Sequence, residues 1–181
     1  MAFNAVVISA LPKAGASSVA FGIASYYGWV RYSAGDEFKR LSSNPNELNA
    51  AMEVWQGRGK DKSLHDYLNG RVISMAASGN VVIDAKLGVY LTRHLPNVVT
   101  IWLRTSFNKR IEFAVKKSGG NYESARQLLQ ERTQTELKEW EQMYPELGSY
   151  FEQEQRAHIV LNNDVALEET IKTAIGLLRK N

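Results

Sequence analysis

The stretch "VVISALPKAGASSVA", Val6 to Ala20, carries the residue pattern closest to recognisable chemistry. A hydrophobic run enters a turn of small residues, and the turn enters a helical pattern. Loops of this form bind phosphate when they follow G-x-x-x-x-G-K-[ST]. The glycines permit the tight turn, the lysine meets the outer phosphates, and the hydroxyl ligates a metal ion. Laid on this chain from Ala10, the second glycine is Gly15 and the hydroxyl is Ser17, with Ser18 beside it. The first glycine position holds Ala10 and the lysine position holds Ala16, while a lysine stands earlier in the loop at Lys13. The backbone supplies much of a phosphate cradle whatever its side chains, because N–H groups at a helix N-terminus bind anions. The plainer reading is a small-residue turn from strand to helix.

Other residues have the types such a site needs. Asp84 ends the apolar run "NVVID", where a carboxylate beside the loop would hold Mg²⁺ together with Ser17. An acid ending a strand is otherwise simply solvated. "SAGDEFKR", Ser33–Arg40, follows a second short strand, and open α/β sheets place ligands at that edge. Ser33 and Asp36 are equally good helix caps, and Lys39, a turn further on, can face an incoming phosphate. Arg104, Arg110, Arg126 and Arg132 line the segment after the fourth strand; most helical arginines are solvated, but phosphoryl transfer needs cations on the transferring oxygens. His65, His94 and His158 show no metal-ligand spacing, and no G-x-S-x-G elbow supports Ser-His-Asp chemistry. The tryptophans read as packing residues, Trp55 alone lying where an acceptor would dock.

These residues need a frame. Val6–Ser9, Trp29–Ser33, Asn80–Asp84, Asn97–Leu103 and His158–Asn162 read as buried strands, separated by helical patterns such as Ser17–Tyr27, which Gly28 closes. Leu64, Leu68, Val72, Met75 and Ala76 share a helical face before Gly79, as do Leu167, Ile171, Ile175 and Leu178 near the C-terminus. Strands alternating with helices predict an α/β domain with a five-stranded parallel sheet covered on both sides. The polar stretch Lys116–Glu154 is the least core-like and is the candidate for a helical lid.

At 181 residues, 44% apolar and 23% charged, the chain suits one globular domain spanning 1–181. No apolar run is long enough to span a membrane, and no signal peptide is read at the N-terminus. With no cysteine there are no disulfides or thiolate metal sites, which fits a cytoplasmic protein. A net charge of +3 with scattered lysines and arginines lacks the basic stripe of a nucleic-acid binder and favours a small anionic ligand.

In their shared order these pieces resemble the nucleoside monophosphate kinases, and most closely the archaeal-type cytidylate kinases. "SALPKAGASSVA" stands where that family has S-G-x-P-G-S-G-[KT]-T-T-V-A, and "YSAGDEFKRL" resembles S-A-G-D-I-F-R-E-L. "GNVVIDAKLGVYL", "VTIWLRTSFNKRIEFAVKKSGG", "ERTQTELKEW" and "HIVLNND" are similar to later family segments, almost end to end. The resemblance implies a P-loop fold with a helical lid near 108–155, an acceptor region near 34–79, and transfer of the ATP γ-phosphoryl group to CMP, dCMP or UMP with Mg²⁺. It implies Gly15, Ser17 and Ser18 on donor phosphates, with the backbone near Asn162 facing adenine. It further implies Ser33, Gly35, Asp36 and Lys39 around the acceptor, and Arg71 near its base or phosphate. Asp84 and Lys86 would lie near metal and acceptor phosphate, with Arg110 and Arg132 as lid cations.

The departures are as informative. Ala16 replaces the lysine of many relatives, and Lys13 replaces a loop glycine. Lys39 and Lys86 each replace an arginine and lose its bidentate fork. Asn69 stands for an Asp, and Phe113 and Lys117 for lid arginines. Two alternatives therefore stay open: a nucleotide-binding pseudoenzyme or partner-binding protein, and a kinase of another small acceptor. Losing one preorganised donor costs roughly 10²–10³ in rate, so a surviving kinase needs a substitute cation, Lys13 or a lid arginine such as Arg132. If it is Lys13, Lys13→Ala lowers both turnover and ATP affinity; unchanged values for both would remove Lys13 from the chemistry.

Overall fold

The computed structural model describes residues 3–180. Five strands, β1 (Ala5–Ala10), β2 (Val30–Ser33), β3 (Val81–Asp84), β4 (Val98–Arg104) and β5 (Ile159–Asn162), form one parallel sheet in the order β2-β3-β1-β4-β5. Burial on both faces explains why the inner strands β1, β3 and β4 are continuous apolar runs, while the edge strands β2 and β5 are partly exposed. In β1, Val6 and Ile8 pack on one face while Ala5 and Val7 pack on the other. The five expected strands all appear, with ends shifted by a residue or two.

Nine helices are described: α1 (Ala16–Tyr27), α2 (Ala34–Lys39), α3 (Glu47–Gln56), α4 (Lys62–Ser78), α5 (Gly88–Thr92), α6 (Phe107–Ser118), α7 (Tyr122–Met143), α8 (Glu152–Arg156) and α9 (Leu167–Leu178). Helices α1 and α9 cover one face through Val19, Ile23, Ala174 and Leu178. They approach so closely that a Cβ on Gly22 would fall 2.3 Å from Ile171 Cδ1. Helix α4 covers the other face with Val72 and Ala76. Gly28 (φ 68°) ends α1 by donating its N–H to Ala24 O, and Ser33 opens α2 by accepting from Asp36 N at 3.1 Å. Both caps were legible as residue types.

Because β1 leads to α1 on one face and β3 leads to α5 on the other, a crevice opens at the carboxyl ends of these neighbouring strands, the place where such sheets bind ligands. Register brings the acid to it: Asp84 is level with Ile8 of β1 and with Ser33 of β2.

The polar stretch from Lys116 to Glu154 contributes more to the core than its composition suggests. Ala125 and Leu129 of α7 pack with Ile111, Ala114 and Leu48, while Trp140, Tyr144 and Tyr150 pack with Trp55, Phe38 and Trp102. Helix α7 is long and amphipathic, so a narrow apolar stripe is diluted by charge on its outer face. Among the described residues no helix is long and apolar enough to cross a membrane.

Candidate functional site

The cleft starts at the β1–α1 loop. Lys13 (φ 60°) and Gly15 (φ 91°) both adopt left-handed backbone. Glycine suits this freely, whereas a lysine there costs roughly 1–2 kcal/mol. A Cβ on Gly15 would come 2.6 Å from Asn163 Nδ2, so the loop and the β5–α9 turn are in contact only because residue 15 has no side chain. Side chains from elsewhere tie down the loop carbonyls. Ala14 O accepts from Thr105 Oγ1 (2.9 Å) and Asn163 Nδ2 (2.8 Å); Ala10 O accepts from Tyr150 Oη (2.9 Å) and Lys86 Nζ (3.2 Å). Helix α1 then begins with no side-chain cap and no acid in its first turn, so its positive end faces the cleft.

Two carboxylates organise the charged side chains. Asp84 is buried and accepts from Ser33 Oγ at 2.8 Å, Ser17 Oγ at 3.2 Å and Arg31 Nη2 at 3.1 Å. Burial pushes its carboxyl above the ordinary range, with Ser33 and Arg31 opposing and the nearby Asp36 charge assisting. Arg31 Nη2 also reaches Asp36 Oδ2 at 2.9 Å, and Lys39 Nζ meets Asp36 Oδ1 at 2.9 Å. Burial alone would raise the Asp36 carboxyl; Lys39 and Arg31 outweigh it and hold it low.

The second carboxylate is Glu136 on α7. It meets Arg132 Nε at 2.7 Å and Lys86 Nζ at 3.1 Å. Burial would raise it, yet Arg132 and Lys86 bring it down to about 2. Desolvation pulls Lys86 down to about 8, with Glu136 opposing and Arg132 and Arg110 assisting. One buried anion thus holds two cations at the cleft wall.

Gly15, Ser17, Ser18, Ser33, Gly35, Asp36, Lys39, Asp84, Lys86, Lys13 and Arg132 line a single cavity of about 450 Å³, a volume typical of small-molecule sites. Arg104, Arg126 and Trp55 lie outside that lining, the first two paired with Glu154 and Glu123 and the third packed in the core, and so do Arg71, Arg110 and Asn162. Arg71 is on the outer surface of α4, 3.5 Å from Glu37 and over the Tyr32 ring. Arg110 is buried behind the cleft, donating to Thr133 Oγ1 at 3.1 Å, and burial lowers it to about 10. Asn162 points to solvent because β5 alternates, and its neighbour Asn163 lines the cleft instead.

Arg31, Glu136 and Asn163 escaped the sequence reading. Arg31 had a signal, since on a strand it shares a side with Ser33 two residues on. Glu136 also had one, four residues after Arg132 on the same helix face. Asn163 had none beyond its place after a strand.

The donor set suits a hard cation. The Ser17 hydroxyl and Asp84 carboxylate are adjacent oxygen ligands of the kind Mg²⁺ takes. Among the described residues no group of three or more His, Cys, Asp or Glu could hold a metal alone. A divalent ion here would therefore complete its shell with water and ligand phosphates, as Mg²⁺ ordinarily does.

The model of the cytidylate kinase-like family matches residues 8–165. The cytidylate kinase of Methanopyrus kandleri is 27% identical over 148 residues, 77% of this chain and 75% of its own. That of Ignicoccus hospitalis is 29% identical over 140 residues, covering 77% and 79%. In structure, an uncharacterized protein from Eubacterium ventriosum superposes with a TM-score of 0.71 at 12% identity over the whole of both chains. Shikimate kinase from Acinetobacter baumannii, in complex with shikimate, gives 0.64 at 13% identity over 99% and 94% of the two chains. A gluconokinase from Sinorhizobium meliloti gives 0.63 at 19%, over 97% and 92%. These structural likenesses concern the fold, which is that of the P-loop kinases.

The Glu136 arrangement has a measurable consequence. Glu136→Gln leaves Lys86 and Arg132 without their counter-charge and is expected to cost about 3–5 kcal/mol in urea denaturation at pH 7. The pH sign follows from the depressed carboxyl. Its contribution is complete above the ordinary value of 4.5 and is lost as pH falls toward about 2. That portion of the acid destabilisation should be absent from the Gln variant.

Proposed function

The chain belongs to the cytidylate kinase-like family, and from that premise we propose that it transfers the γ-phosphoryl group of ATP to a pyrimidine nucleoside monophosphate, CMP before dCMP or UMP. The observation that carries this reading is convergence: the N-terminus of α1 and the cations Lys13, Lys39, Lys86 and Arg132 line one cleft. Phosphoryl transfer asks for little covalent chemistry from the protein and a great deal of positioned positive charge.

In this reading Gly15, Ser17 and Ser18 hold the donor phosphates on the loop and first turn of α1. Ser33, Gly35, Asp36, Lys39 and Lys86 form the acceptor side. Mg²⁺ held by Ser17 and Asp84 would neutralise charge on the donor oxygens. An acceptor phosphate oxygen attacks the γ-phosphorus, the bond to the ADP oxygen breaks, and the electron pair leaves with ADP. The acceptor phosphate is already ionised, so no general base is required. Residues 34–79 serve as the acceptor region and residues 108–155 as the lid, with Arg132 bringing charge from α7.

A second reading has its own observation. Ala16 supplies no charge at the first helical position, and Arg31 already occupies Asp84. Those features suit a protein that binds nucleotide without transferring phosphate. Coupled ADP release separates the two, using ATP and Mg²⁺ with CMP, dCMP, UMP, AMP or no acceptor. Turnover confined to pyrimidine monophosphates, reduced about 10²-fold or more in Ser17→Ala, is the expected result. ATP binding without acceptor-dependent ADP would favour the second reading, and turnover with a different small acceptor would reassign the substrate.

A further inference from the structure

Arg31 belongs to neither the loop nor the SAGD segment, yet it has the most unusual contacts in the cleft region. A single nitrogen, Nη2, bridges two carboxylates, at 3.1 Å from Asp84 Oδ2 and 2.9 Å from Asp36 Oδ2. The opposite oxygen of Asp84 accepts from the Ser17 and Ser33 hydroxyls. One cationic nitrogen is therefore surrounded by two carboxylates, with two hydroxyls on the far edge of one of them. That set of hard oxygens is what a divalent cation selects.

The hold is also incomplete. The guanidinium does not make the two-pronged contact that gives arginine its strength with carboxylates. It uses the same nitrogen for both acids, while its buried Nε has no hydrogen-bond partner. A cation held by one nitrogen is easier to displace than one held by a fork. Lys39 also meets Asp36, from its other oxygen, at 2.9 Å.

We propose that Arg31 is a metal surrogate: its guanidinium sits between Asp84 and Asp36 where a divalent cation would otherwise bind, so the free protein holds metal weakly and takes it up with the nucleotide. The inference rests on the phosphoryl-transfer reading for its purpose, but not for its test. Two acids brought together by the end of β3 and the first turn of α2 would repel each other and collect free metal if nothing lay between them. Arg31 neutralises them in the free protein. Asp84 would then hold a metal brought in with nucleotide phosphates in place of Nη2, while Asp36 would keep the guanidinium. Arg31 is accordingly a positioning residue that sets the order of loading.

The test is Mn²⁺ binding to the nucleotide-free protein, read by the loss of the free-ion electron paramagnetic resonance signal. Mn²⁺ shares the oxygen preference of Mg²⁺. Arg31→Ala is expected to bind Mn²⁺ about tenfold or more tightly than the native chain, because Asp84 loses its cationic partner while Asp36 keeps only Lys39. Arg31→Lys keeps the charge and should bind as weakly as the native chain. The gain in Arg31→Ala should vanish when Asp84→Asn is added. Arg31→Gln serves as a second neutral variant of closer size, and circular dichroism melting confirms that each variant folds. Neutral variants that bind Mn²⁺ no better than the native chain would overturn the proposal. So would a gain that survives Asp84→Asn, or one that Arg31→Lys shares. No outcome depends on turnover, so failure here is distinct from failure of the kinase reading.

Discussion

Cations gathered in one cleft need counter-charge close at hand, and the buried carboxylates of Glu136 and Asp84 supply it. Like charges gathered in a partly dry site repel one another and lose hydration, so they need a counter-charge close by. Glu136 serves Arg132 and Lys86 at 2.7 and 3.1 Å, and Asp84 with Asp36 serves Arg31 and Lys39. Lys86 of the first group donates to Ala10 O at the start of the loop, and Asp84 of the second accepts from Ser17 in the first turn of α1.

Much of the remaining architecture follows from placing these acids. Asp84 needs a strand adjacent to β1 and a second strand in register, so that Ser33 and Ser17 both reach it. Glu136 needs α7 held in place, and Ala125 and Leu129 packing with Ile111, Ala114 and Leu48, together with Trp140 against Trp55 and His65, hold it. Tyr150 then ties the same region to the loop through Ala10 O, which Lys86 shares. Tyr150, the β1–α1 loop and Lys86 are thus coupled through a few short contacts. In the proposed function an incoming phosphate would replace a carboxylate at Lys86 and Arg132, exchanging one anion for another rather than creating new charge.

The strands and the phosphate loop were legible because each depends on local chemistry. β-branched runs such as "VVIS" and "NVVID" can only be buried, and small residues between a strand and a helix permit few other turns. The start of α2 was legible from Ser33 and Asp36, whose cap is local too. What stayed hidden is what topology brings together. Glu136 looked like one acid among many on a polar helix, since sequence alone does not say which face of α7 is dry. Arg31 sits on an edge strand whose partners were unknown until β3 was placed beside it. Asn162 and Asn163 differ by one residue, and the pleat of β5 decides which of them turns inward. Arg110 has the right type in the right segment, but burial against Thr133 takes it behind the cleft rather than into it.

The account stands or falls on where phosphate binds, and a crystal structure of the chain with ADP and CMP tests that directly. The account predicts the ADP phosphates on the backbone of residues 14–18, the CMP phosphate among Lys39, Lys86 and Arg132, and Glu136 released from at least one of its two cations. ADP and CMP bound elsewhere, or an intact Glu136 cluster with no phosphate near it, would contradict the central claim that these acids hold the place of substrate anions.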